Sequence, residues 1–205
     1  MVTGEVLSVQ MKQILIGTNR RNSRSRQVGL LIQNIYRDLG EEVELMDLAD
    51  IPLHELTGEQ YSKDLPPHVA AAVEKITHAP GVIFIVPEYN GSMPGALKYF
   101  IDHWKYPESF EQRPVCFVGL GGLFGGLRPV EHLQQVMGYR NAFVFPQRVF
   151  LQNIWTQLKD GVLTDPVVKS LLVKQAEDFQ KFVKGLELAQ LDANHLNRNR
   201  PAPKK

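Results

Sequence analysis

The sequence predicts one α/β domain: a five-stranded parallel sheet with helices on both faces. Three observations carry that reading. Short apolar runs alternate with helix-period stripes along most of the chain, the pattern that packs helices against parallel strands. One of those runs, Gly81 to Val86 (GVIFIV), is apolar throughout, as expected of a central strand buried on both faces. The 205 residues, 43% of them hydrophobic, suffice for one full core without a second domain.

The elements follow in order. Ile14-Leu15-Ile16 is a buried strand run ending at the turn residue Gly17. Val28, Leu31, Ile32, Ile35 and Leu39 lie at helical spacing, and Gly40 stops that helix. Val43 to Met46 makes a second strand, and Asp47 to Pro66 reads as loop. Val69, Val73 and Ile76 mark the next helix, which leads into the third strand at Gly81. Leu97, Phe100, Ile101 and Trp104 form another helical stripe before a fourth strand at Val115 to Val118. Val130, Leu133 and Met137 are the next helix, and Ala142 to Phe145 the fifth strand. The last helix is long, with Val168, Leu172, Phe179, Phe182 and Leu186 on one stripe.

This alternation is that of a flavodoxin-like fold with strand order 2-1-3-4-5. In such sheets ligands bind beyond the carboxyl ends of the strands, where the strand order reverses, here between the first and third strands. The domain is expected to span residues 11–190. Residues 1–10 read as an N-terminal extension and 191–205 as a disordered basic tail, from Asn194 onward polar and proline-containing.

Composition removes several function classes. The 23 Lys+Arg and 22 Asp+Glu give a formal net charge of +1, which argues against nucleic acid or a membrane surface as main partner. The single cysteine, Cys116, leaves no internal disulfide and no thiol-rich metal site, which suits a reducing, cytoplasmic compartment. No signal peptide or apolar run of membrane-spanning length stands out. The histidines lack metal-ligand spacing, so no metal is expected.

Three loops carry chemistry. The first, Gly17 to Ser25 (GTNRRNSRS), is rich in hydroxyl, amide and guanidinium groups and runs into a helix. Free N–H groups at a helix start, with the hydroxyls and Arg20, suit a phosphate. Equally, Ser23 or Ser25 caps the helix and the arginines are solvated. The second, Val86 to Gly95 (VPEYNGSMPG), leaves the most buried strand along a path set by two prolines and two glycines. Tyr89 offers a flat face for a planar ring and Asn90 a bond to a polyol. The third, Gly119 to Arg128 (GLGGLFGGLR), either lets the backbone approach a ligand closely or is a tight turn.

Together these loops resemble the NADPH-dependent FMN reductase family, which includes quinone, azo-compound and chromate reductases. Gly17-Thr18-x-Arg20-x-x-Ser23 looks like that family's phosphate loop, Gly81 to Trp104 like its Pro-Glu-Tyr-Asn-Gly segment, and Gly122-Leu123-Phe124-Gly125-Gly126 like its third loop. The resemblance covers roughly residues 11–187. Two departures stand out: Gly119 and Leu120 where members often carry serine, and Ser25 where they often carry asparagine.

The resemblance implies an enzyme. Thr18, Arg20, Ser23 and Ser25 would hold the FMN phosphate. Pro87, Glu88, Tyr89 and Asn90 would line the isoalloxazine ring, and Gly122 and Gly125 would lie near its other edge. NADPH or NADH would pass hydride through FMN to a quinone, azo compound, flavin or metal oxyanion by ping-pong kinetics, with no catalytic side chain because the flavin carries the chemistry. A homodimer or homotetramer is implied as well. The rival readings are a non-enzymatic flavodoxin-type electron carrier, a class usually strongly acidic, and a flavin-binding sensor.

Outside the loops, Cys116 reads as a core thiol and Lys98 with Asp102 as an i,i+4 ion pair. His103 and Trp104 read as packing or subunit contacts. Phe100, Trp104, Tyr106 and Phe110 form an aromatic series that suggests self-association if exposed.

Overall fold

The computed structural model describes residues 10–58, 64–159 and 161–201. Five strands, β1 (Lys12–Ile16), β2 (Val43–Asp47), β3 (Val82–Pro87), β4 (Pro114–Leu120) and β5 (Phe143–Leu151), pair in parallel in the order β2-β1-β3-β4-β5. The expected flavodoxin-like architecture is thus the observed one.

The strands interleave two cores. Ile14 and Ile16 of β1, Ile83 and Ile85 of β3, and Cys116 and Val118 of β4 share one face. There they meet α1 (Arg24–Asp38) through Val28 and Ile32, and α6 (Pro166–Leu188) through Leu172 and Phe179. Leu15, Phe84 and Phe117 point to the opposite face. That side is covered by α2 (Pro67–His78), α3 (Gly95–Asp102) and α4 (Leu127–Tyr139) through Val73, Phe100 and Leu133. A continuous apolar strand run is therefore two alternating faces, each with its own helices.

Several elements differ from expectation. β5 continues past Phe145 to Leu151. Its register with β4 jumps from Val115↔Val144 to Phe117↔Arg148, so extra residues including Pro146 bulge out, as a residue without an N–H to give the ladder requires. α3 stops at Asp102, so Trp104 packs from beyond the helix. The stretch from Asp47 to Pro66, expected to be loop, holds a 3-10 turn, Leu53–Glu55, among its described residues. After β5 come a short helix, α5 (Ile154–Gln157), and a hairpin of β6 (Leu158–Lys159) and β7 (Val162–Leu163).

The expected disordered tail is corrected in part. Residues Ala193–Arg198 form α7, capped by Asp192, whose carboxylate accepts from the His195 N–H at 2.9 Å. Ala193 is buried, and Asn194 is tied to the core by a 2.9 Å bond from Arg113. Local composition gives no sign of that distant partner. Residues 1–9 of the expected N-terminal extension and 202–205 of the tail lie outside the described residues. Among the described residues no helix is long and apolar enough to cross a membrane.

Candidate functional site

The three loops leave neighbouring parallel strands, so their starts lie side by side at the carboxyl edge of the sheet. The loop after β1 turns at once: the Thr18 N–H bonds Ile16 O at 2.9 Å, and Thr18 itself is 0% exposed. Ser23 caps α1, its Oγ accepting from the Arg26 N–H at 3.2 Å, and Ser25 is buried in the first turn. The first N–H groups of a helix have no carbonyl one turn back, and the helix dipole favours an anion there.

The four arginines from Arg20 to Arg26 divide. Arg20, Arg21 and Arg24 are exposed and form no ion pair among the described residues. Arg26 instead reaches Asp47 Oδ2 at 2.8 Å and Asp50 Oδ2 at 3.5 Å. The hydrogen bond to Asp47 raises its pKa above the ordinary arginine value. Asp47 is buried at the end of β2, paired in register with Ile16, so a carboxylate beside the loop is neutralised by protein. The strand order places these two strand ends together and was the signal for that pairing.

The loop after β3 is a locked hairpin turn. Tyr89 and Ser92 exchange backbone bonds of 2.9 and 3.1 Å around Asn90 (φ 52°) and Gly91 (φ 78°), the double positive-φ turn that asparagine-glycine favours. Asn90 therefore has a conformational role besides any ligand contact. Pro87 closes β3, and the Glu88 N–H bonds Leu120 O at 2.9 Å, fastening this loop to β4. Tyr89 Oη lies 2.8 Å from Thr18 Oγ1. That bond joins two of the three loops, and nothing in the sequence announces it.

The loop after β4 is drawn tight against its own strand. Gly126 has φ 83°, and a Cβ there would lie 2.5 Å from Leu120 N, so only glycine fits. Gly125, buried, also has positive φ. Gly122 sits at the tip, where its carbonyl accepts from the Gly125 N–H at 3.1 Å and the Asn153 N–H at 3.0 Å. The Arg128 guanidinium lies over the Phe124 ring at 5.9 Å and beside Gly91, bridging this loop and the hairpin turn.

The residues read as lying outside the loops have structural surroundings of their own. Cys116 is buried in β4, and burial pushes its thiol pKa far up, so it is unreactive. Lys98 and Asp102 pair at 2.5 Å. Phe100, Trp104 and Phe110 are core, which leaves Tyr106 as the exposed ring of that series. Two surface grooves, of about 620 and 610 Å³, run along α2 and share Ala71 and Glu74. Neither touches the three loops, and the chemistry, not the volume, identifies the site.

The donor set fits a phosphomonoester joined to a planar ring: hydroxyls and a helix start on one loop, unpaired guanidiniums beside them, and an aromatic hairpin bonded to that same loop. Residues 13–156 match the model of the NADPH-dependent FMN reductase family. The chain belongs to that family. It is 30% identical over 181 residues to a quinone reductase of Escherichia coli K12, covering 85% of this chain and 95% of that protein. To an NADPH azoreductase of Bacillus sp. OY1-2 it is 33% identical over 161 residues, covering 75% and 82%. Its fold is like that of FerB, a flavoenzyme NAD(P)H:acceptor oxidoreductase from Paracoccus denitrificans, with TM-score 0.69 at 20% identity over 86% of this chain and 98% of that one. This family member is an oxidoreductase, with FMN as cofactor and NAD(P)H as electron donor.

Proposed function

We propose that this reductase transfers two electrons from NAD(P)H through FMN to a quinone, azo compound, flavin or metal oxyanion, donor and acceptor using one site in turn. When bound, FMN supplies the redox chemistry by taking both electrons and then releasing them. In the quinone case NAD(P)H, a proton and a quinone become NAD(P)⁺ and a hydroquinone. A quinone reductase and an azoreductase among its relatives support the first two of these acceptor classes.

Thr18, Arg20, Ser23 and Ser25 hold the phosphate in this reading. The buried hydroxyls fix its position and Arg20 neutralises charge from the solvent side. Pro87, Glu88, Tyr89 and Asn90 seat the ring, with Gly122 and Gly125 at its far edge. The observation that carries the assignment is the 2.8 Å Thr18–Tyr89 bond, because it ties the proposed phosphate loop to the proposed ring loop. No side chain is assigned a covalent role.

The working form is a homodimer or homotetramer, and the compartment is the cytoplasm. Exposed Tyr106 and Tyr139, both against the Arg140 guanidinium, form an aromatic-cationic patch that suits self-association. The fully buried thiol suits a reducing compartment.

An absorbance spectrum of purified protein, repeated anaerobically after NADPH and then NADH, tests this. A flavin band that bleaches within the assay is expected. A colourless protein that FMN cannot reconstitute defeats the site, and a band that neither donor bleaches favours an electron carrier. Parallel double-reciprocal plots are the expected sign of alternating donor and acceptor.

A further inference from the structure

The tip of the glycine loop carries large apolar side chains that water reaches. Leu123 is 70% exposed and Phe124 53%, and beside them Trp155 is 52% exposed. Exposed apolar groups gathered at one place mark a surface that something else covers. These are also fixed in place. The α5 backbone is sewn to the loop by the Asn153 N–H to Gly122 O at 3.0 Å and the Ile154 N–H to Gly121 O at 3.3 Å. Ile154 is buried in the core, and Asn153 takes a positive φ of 45° to make the turn. The indole then lies against Gly122, so close that a Cβ there would sit 3.2 Å from Trp155 Cη2. A rigid aromatic face needs little ordering when a flat molecule stacks on it.

We infer that Trp155, seconded by Phe124, is a specificity-determining residue that favours acceptors bearing a planar ring over compact inorganic ones. This rests on the FMN site proposed above, which puts Gly122 at the edge of the flavin ring. A naphthoquinone next to that edge gains a stacking face from the indole. A compact inorganic complex without a ring does not.

The test uses purified holoenzyme with saturating NADPH and two acceptors, 2-methyl-1,4-naphthoquinone and ferricyanide. Each NADPH with one proton delivers two electrons and two protons. One quinone takes all of them to become the hydroquinone, whereas two ferricyanides take one electron each and both protons are released. In Trp155→Ala the quinone-to-ferricyanide ratio of kcat/KM is expected to fall about fivefold to tenfold, mostly through a higher quinone KM. Trp155→Phe should restore most of it, and Phe124→Ala should move it the same way by less. An unchanged ratio in Trp155→Ala overturns the inference. If that variant does not fold, an unchanged ratio in Phe124→Ala overturns it as well. A fall in oligomeric mass with the ratio unchanged assigns the indole to a contact between copies, which also overturns it. Wild-type protein that turns over neither acceptor defeats the proposed function instead.

Discussion

Arginine is used in opposite ways at the two edges of the sheet. At the amino edge Arg113, just ahead of β4, is 1% exposed. Its guanidinium donates to the carbonyls of Ala79, Thr77 and Glu108 and to Asn194 Oδ1, tying the end of α2, the connection between α3 and β4, and α7 together. Burial pushes its pKa down to about 9, with nearby Asp192 opposing, and it remains charged at neutral pH. At the carboxyl edge Arg20, Arg21 and Arg24 stand in water without an ion pair among the described residues. A buried cation must be satisfied by protein, so Arg113 serves the fold. Cations left open beside buried hydroxyls and a helix start are available to a ligand.

That contrast breaks most readily at Arg113. Arg113→Ala strands three backbone carbonyls and one amide, and a loss on the order of 4 kcal/mol is expected in urea unfolding. A loss below about 1 kcal/mol would show that water or repacking replaces the guanidinium, and the amino edge would no longer count as an arginine clamp. The site edge has its own rigid point. Gly126→Ala forces a Cβ to within 2.5 Å of Leu120 N at φ 83°, and about 3 kcal/mol of stability should go with it. Thermal melts with and without FMN would check this, and an unshifted midpoint would mean that the loop rearranges freely.

Arg20→Ala sharpens the comparison from the other side. Loss of a charge-assisted contact should raise the FMN dissociation constant about tenfold to a hundredfold. The unfolding midpoint should stay put, because the guanidinium has no partner among the described residues that would be orphaned. Fluorescence titration of the apoprotein reads the first effect and urea unfolding the second. Unchanged affinity removes Arg20 from the phosphate site, and a large stability loss would make it a second Arg113.

What the sequence made legible divides along the same line. Alternation of apolar runs with helical stripes is local, and it led directly to a parallel sheet covered on both faces; the strand order came from the flavodoxin-like fold that this alternation suits. The three loops were legible because proline, glycine, asparagine and hydroxyl residues state their backbone demands where they stand, as Asn90-Gly91 does. The rest needed distant partners. The apolar run of β5 ends at Phe145, yet a bulge that includes Pro146 carries the strand on to Leu151. α7 looked like tail because the guanidinium that holds Asn194 is 81 residues away in sequence. Trp155 lies outside every motif and meets Gly122 only in the fold.

The smallest effect probes the contact that unites the site. Tyr89→Phe keeps the ring and removes only the hydroxyl that meets Thr18 Oγ1 at 2.8 Å. Thr18 then keeps the Arg20 N–H at 3.2 Å as a donor but loses its tie to the hairpin turn. One neutral hydrogen bond is worth about 1 kcal/mol, so a severalfold weaker hold on FMN is expected. Tyr89→Ala, which also removes the flat face, should weaken it further and disturb turnover. If Tyr89→Phe binds FMN like the wild type while Tyr89→Ala does not, the ring matters and the bond does not. The phosphate loop and the ring loop would then be independent neighbours, not one surface.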